Sequence, residues 1–151
     1  MARIRHKRAD RDGNRFLALP YQVLDAPAFL KLSAPAVRLL IDIARQYSGA
    51  NNGKLVACMS YLAKRGWTSN DTVHRARREL EVAGFLVQTR MGARPNKAAW
   101  FAATWWGLDW LPEMEIARSS FERGLYCKSD PLPPILKTRA LDRPPVGIGT
   151  E

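Results

Sequence analysis

Asp71, His74, Arg75 and Arg78 recur at a spacing that puts them on one face of a helix expected over Ser69–Gly84. At about 100° per residue, Val73, Ala76, Leu80 and Ala83 share the opposite face, and Arg77 falls at the margin. A helix that is apolar on one side and basic on the other holds a polyanion by hydrogen bonds and charge. It makes and breaks no covalent bond. Each guanidinium is a planar fork, so Arg75 and Arg78 match the O6/N7 edge of guanine. Asn70 suits adenine or a phosphate. Ser69 and Thr72 sit where backbone amides at a helix N-terminus already favour an anion. Arg90, Arg94 and Lys97 follow in an expected β-hairpin, where phosphate or minor-groove contact fits them better than base reading.

Each of these residues also has a plainer reading. A basic helix face is commonly just a solvated face. His74 alone suits a surface position, Ser69 serves as an N-cap in either case, and Asp71 complements the helix dipole while repelling a nearby phosphate. The coincidence of the basic face, the helix–turn–helix order and the basic hairpin tip within about fifty residues favours the sharper reading.

Other chemistry finds little support. The two histidines, His6 and His74, and the two cysteines, Cys58 and Cys127, have no zinc spacing. There is no Gly-x-x-x-x-Gly-Lys-Ser/Thr phosphate loop. Asp109, Glu113 and Glu115 read as solvated charges near a helix start. No enzyme, metal or cofactor is expected.

The chain has 151 residues, enough for one ordinary domain with a tail, and its 46% hydrophobic and 25% charged residues are those of a globular protein. Two distant cysteines argue against a disulfide framework and for a reducing compartment. No signal peptide or membrane-spanning run is expected, which makes a soluble, cytoplasmic protein the default. The net charge is +10. Residues 112–151 hold six basic and six acidic side chains, so the whole excess lies in residues 1–111. It concentrates in residues 1–15 and 54–97. Such a field attracts polyanions, although a surplus that merely aids solubility is the plainer alternative.

The expected organisation has four parts. Residues 1–15 form a basic flexible arm, suited to a phosphate backbone or a minor groove as homeodomain arms are, or else idle. Residues 16–111 form the folded domain. In it a short helix is capped by Asp25 and ends near Leu32. A second is capped by Ser33, with Val37, Leu40, Ile41, Ala44 and Tyr47 facing the core and Arg38, Asp42 and Arg45 facing away. After the Asn51-Asn52-Gly53 turn come an extended piece, a helix over Cys58–Arg65 stopped by Gly66, a core Trp67, and the Ser69–Gly84 helix. Strands at Phe85–Thr89 and Ala98–Thr104 make the hairpin. Residues 112–127 are read as a last helix, centred on Glu113–Leu125, and residues 128–151 as a Pro-rich, mostly disordered tail. Trp100, Trp105, Trp106 and Trp110 either pack within the chain, the favoured reading, or form a homodimer or partner interface.

The stretch LVACMSYLAKRGWTSNDTVHRARRELEVAGFLVQTR resembles winged helix-turn-helix domains of phage and plasmid replication initiators and bacterial regulators. The shared features are Leu62-Ala63, Gly66, Ser69, Thr72-Val73, Arg77 to Leu80, and Gly84-Phe85. The segment from Leu19 to Leu55 looks like the leader of helix-turn-helix proteins of mobile elements. Together the two cover roughly residues 16–110. The resemblance implies a mainly α fold with a small β-hairpin (α+β), a winged helix-turn-helix. It implies binding of double-stranded DNA in replication initiation or transcriptional regulation, in a bacterial host cell. The alternative is a winged-helix interaction protein that inhibits a host nucleic-acid-handling complex, such as an anti-defence protein.

Overall fold

A computed structural model describes Gly13 and residues 15–128 of the chain. The expectations for an N-terminal arm and a C-terminal tail therefore fall almost wholly outside the described residues. Within them the protein is α+β, with short helices and one antiparallel pair of strands.

Two single-turn helices come first, α1 (Tyr21–Leu24) and α2 (Pro27–Leu30). They differ from the expected single helix capped by Asp25. Pro20 starts a turn early enough that the Asp25 amide closes it, donating to the Tyr21 carbonyl at 2.8 Å. Asp25 thus ends α1, and Ala26 precedes α2 with Pro27 in its first turn.

Helix α3 (Ala34–Ala44) begins as expected at Ser33, whose hydroxyl accepts from the Ala36 amide. Its buried stripe is rotated from the expected one. Ala36, Leu39, Leu40, Ile43 and Ala44 face the core, whereas Ile41 is 42% exposed. Asp42, expected in solvent, is 4% exposed. Its carboxylate is satisfied by residues more than twenty positions away, which no local pattern encodes.

Helix α4 (Met59–Leu62) tightens into a 3₁₀ turn over Ala63–Arg65, and Gly66 ends it at φ +87°. Helix α5 (Asn70–Val82) follows, capped by the Ser69 hydroxyl, which accepts from the Thr72 amide at 3.2 Å. Helices α3 and α5 pack on each other. The buried Glu79 carboxylate fastens them, accepting from the Ser33 amide at 2.7 Å and the Ser33 hydroxyl at 2.6 Å. A carboxylate on α5 thus satisfies the amide at the start of α3, where the helix dipole favours it.

Gly84 ends α5 at φ +82°, and a Cβ there would lie 2.9 Å from the Leu125 carbonyl and the Tyr126 nitrogen. Gly84→Ala combines a left-handed backbone with a clash against main chain, which cannot rotate aside. We expect it to lower stability by about 2 kcal/mol, measured by urea unfolding; an unchanged midpoint would refute the close approach.

Strands β1 (Leu86–Arg90) and β2 (Trp100–Ala103) pair antiparallel, Leu86 opposite Ala103 and Gln88 opposite Phe101. A bulge at Thr89 shifts the register, so that Arg90 meets Trp100. Leu55 adds a short bridge on the far side of β2, exchanging both backbone hydrogen bonds with Phe101. Beyond it Asn52 continues the ladder with its side chain. Its amide group donates to the Ala103 carbonyl and accepts from the Ala103 amide, as an opposing peptide would. The Asn51-Asn52-Gly53 cluster is therefore a turn with a buried hub, because Asn52 is fully buried.

Trp100, Trp105, Trp106 and Trp110 each pack against other residues of the chain. Trp105 is 4% exposed, Trp106 stacks on Tyr47 at 3.8 Å, and the Trp110 indole donates to the Ile116 carbonyl. The Trp100 ring is covered by Arg90 at 3.4 Å and flanked by Lys54 at 5.1 Å.

The expected helix over Glu113–Leu125 does not form. The segment makes only two 3₁₀ turns, at Arg118–Ser120 and Leu125–Cys127, with Gly124 at φ +77° between them. Met114, Ala117, Phe121 and Leu125 recur at helical spacing, but the backbone of the segment is used elsewhere. Glu115 N–H donates to the Thr89 carbonyl at 2.7 Å and Gly124 N–H to the Thr104 carbonyl at 2.7 Å. Nor are Asp109 and Glu115 simply solvated, whereas Glu113 is exposed. Asp109 accepts from the Asn52 amide and Glu115 from the Met91 amide.

Candidate nucleic-acid interface

The apolar side of α5 is buried as its spacing predicts: Val73, Ala76, Leu80 and Ala83 are all 3% exposed or less. With that side sealed against α3, the other faces solvent. Asn70, Asp71, His74, Arg75 and Arg78 are exposed there, and Ser69 precedes them at the N-terminus. Arg75 and Asp71, one turn apart, form an exposed ion pair at 2.7 Å. Arg78 has no partner among the described residues.

Arg77 behaves differently. Its side chain is 18% exposed, pairs with Glu81 at 2.8 Å, and lies 5.5 Å from the Phe101 ring centre. It also meets His74 Nδ1 at 3.1 Å. The bonds to Glu81 and His74 stay within α5, the Phe101 contact reaches β2, and together they leave the guanidinium partly committed.

Behind the start of α5 the chain is braced by Asp42. One carboxylate oxygen accepts from Arg65 Nε at 2.9 Å and the other from the Trp67 indole at 2.7 Å. Tyr61 donates to the Asp42 carbonyl at 2.9 Å, and burial, the largest cause, raises the Tyr61 pKa, so that it stays a neutral donor. Both ends of the Gly66 turn are thus fixed to the last turn of α3. The Arg38 guanidinium lies over the Trp67 ring at 4.6 Å and donates to the Arg65 carbonyl.

An open cavity of about 290 Å³ lies at this corner, lined by Pro35, Arg38, Trp67, Thr68, Ser69 and Thr72. It gathers a guanidinium and three hydroxyl side chains at the N-terminus of α5. The sequence pattern points to Ser69 and Thr72 but not to Arg38 or Thr68. Arg38 is legible only as a residue on the polar side of α3, and which neighbour that side meets is not local information.

Between the strands, residues 91–99 form a loop closed by paired backbone bonds between Ala93 and Lys97. Arg94 stands exposed at its tip, with no partner among the described residues. Lys97 is 46% exposed and lies 3.6 Å from Glu115. Arg90 turns back along the hairpin, stacks on Trp100 and donates to the Ala98 carbonyl at 2.8 Å. Of the ten expected interface residues, eight thus stand on two surfaces, α5 with its preceding turn and the hairpin loop. Arg77 and Arg90 instead pack on Phe101 and Trp100 of β2.

Among the described residues no group of three or more His, Cys, Asp or Glu could hold a metal ion, and no helix is long and apolar enough to cross a membrane. The sequence matches no protein-family profile, no curated protein and no solved structure.

Proposed function

We propose that this protein binds double-stranded DNA as a winged helix-turn-helix, with α5 in the major groove and the hairpin loop as the wing. The observation that carries the reading is the exposed face of α5, where Asn70, His74, Arg75 and Arg78 stand together on a helix whose other side is buried. The major groove is about 12 Å wide and admits one such helix. Residues in its first turns reach base edges, while flanking groups hold phosphates. Ser69, Thr72 and Arg38, around the cavity beside the N-terminus of α5, suit the phosphate next to the reading helix. Arg94 and Lys97 suit the backbone beyond it.

The biological role we propose is replication initiation or transcriptional regulation in a phage, plasmid or other mobile element of a bacterial cell. It rests on the sequence resemblance. Selection from a random duplex pool tests the binding reading directly. An enriched sequence is the expected result, a palindrome indicating a regulator and tandem copies an origin. No enrichment, with no salt-dependent affinity for any duplex, would overturn it.

Affinity should fall steeply with salt, since bound phosphates release counterions. A footprint of about five phosphates implies a slope near −4 to −5 in log K against log salt. Arg94→Ala should weaken binding to cognate and random duplex alike and reduce that slope by about 1. Selective loss of cognate binding would instead make Arg94 a base reader. Titrations at several salt concentrations separate the two outcomes.

A further inference from the structure

Leu55 and Asn52 flank the sheet at Phe101 and Ala103, not at the loop itself. The loop's support comes from the segment that follows β2. Its Met114 is buried against Gly53, and the Trp110 indole holds the Ile116 carbonyl at 3.0 Å, so Glu115 stands between two fixed points. From there Glu115 reaches both arms of the loop. Its amide donates to the Thr89 carbonyl at 2.7 Å, at the bulge where β1 leaves regular register. One carboxylate oxygen accepts from the Met91 amide at 2.9 Å, on the first arm. The other lies 3.6 Å from Lys97 Nζ, on the second arm. A carboxylate thus does for the loop what the backbone of a third strand would do, and adds a charge contact across it.

We propose that Glu115 is a positioning residue that latches both arms of the hairpin loop to the body of the domain and so sets how the loop meets a nucleic-acid backbone. This rests on the DNA-binding reading. Glu115 is not a contact residue. A carboxylate facing phosphate would repel it, so its contribution comes through the direction it gives the loop carrying Arg94 and Lys97.

The test compares Glu115→Gln with Glu115→Ala in the full chain. Both remove the same negative charge and release Lys97, so long-range electrostatics cancel between them. Only glutamine keeps an oxygen able to accept from the Met91 amide. We expect Glu115→Gln to bind random and selected duplexes about fivefold more tightly than Glu115→Ala, the worth of one net hydrogen bond. Selectivity should be the same in both. Hydrogen exchange without DNA should show the Met91 amide losing protection in Glu115→Ala and keeping it in Glu115→Gln. Equal duplex affinities for the two variants, or Met91 protection unchanged by alanine, would overturn the proposal. A wild-type protein without duplex affinity would overturn the DNA-binding reading instead, while the Met91 exchange would still decide whether the latch exists.

Discussion

Arg75→Ala and Arg78→Ala should each reduce discrimination between the selected duplex and random duplex by about 1–3 kcal/mol, roughly five- to 150-fold. Both side chains leave α5 on its exposed face, so truncation removes a hydrogen-bonding fork without opening the core. Lysine should not restore discrimination at either position, because an ammonium is a point charge and cannot span the guanine O6/N7 edge. Arg75 carries a further dependence. Its guanidinium is paired with Asp71 at 2.7 Å, which limits the rotamers it must surrender on binding. Arg77→Ala provides the contrast. That side chain is committed to Glu81 and the Phe101 ring, so its loss should lower stability more than selectivity. Competition gel shifts at fixed salt measure the ratio, and thermal melts measure stability. Arg75 and Arg78 variants that both keep wild-type selectivity would remove α5 from the role of reading helix.

The second large effect is on stability. Asp42→Ala should cost about 3 kcal/mol, at the low end for breaking a buried pair, because Arg65 is still 40% exposed and recovers part of its hydration. Trp67 has no such recourse. Its indole N–H is buried with the ring and would be left without its acceptor. For a domain of this size the loss corresponds to a fall in Tm on the order of 10 °C. Asp42→Asn keeps one acceptor oxygen and should cost about 1 kcal/mol. Asp42 also holds Trp67, which lines the cavity beside the N-terminus of α5, so duplex affinity should fall modestly beyond the loss of folded fraction, while selectivity is kept. Calorimetry and a binding titration well below the new Tm separate these outcomes. A melting temperature unchanged by alanine would show that Asp42 does not brace the Gly66 turn.

Much of the α+β architecture is legible in local sequence. Ser33 and Ser69 cap the helices they precede, Gly66 and Gly84 end them in left-handed conformation, and the spacing of Val73, Ala76, Leu80 and Ala83 gives the buried side of α5. Each depends on residues within about a helical turn of one another, and short-range geometry suffices. The α5 part of the candidate interface follows for the same reason. Once the apolar side of a helix is known, its exposed side is known too.

Where local pattern and structure part, the cause is a partner distant in sequence. Asp42 reads as a surface charge and is buried, because Arg65 and Trp67 supply the hydrogen bonds that offset its desolvation. The segment after Pro112 reads as a helix and becomes a strap, because Thr89, Met91 and Thr104 on the hairpin capture its amides and the Glu115 carboxylate. In the sequence Arg90 looks equivalent to Arg94, and Arg77 differs from Arg78 only in falling at the margin of the basic face. Packing against Trp100 and Phe101 divides them into two that brace the scaffold and two that stand in solvent.

The basic face of α5 is therefore a property of residues 69–84 alone, set by helical period and charge. Which cations remain exposed beside it, and how the hairpin loop is held, depends on tertiary structure. Buried carboxylates and stacked guanidiniums are stable only where the fold brings their partners within hydrogen-bond reach.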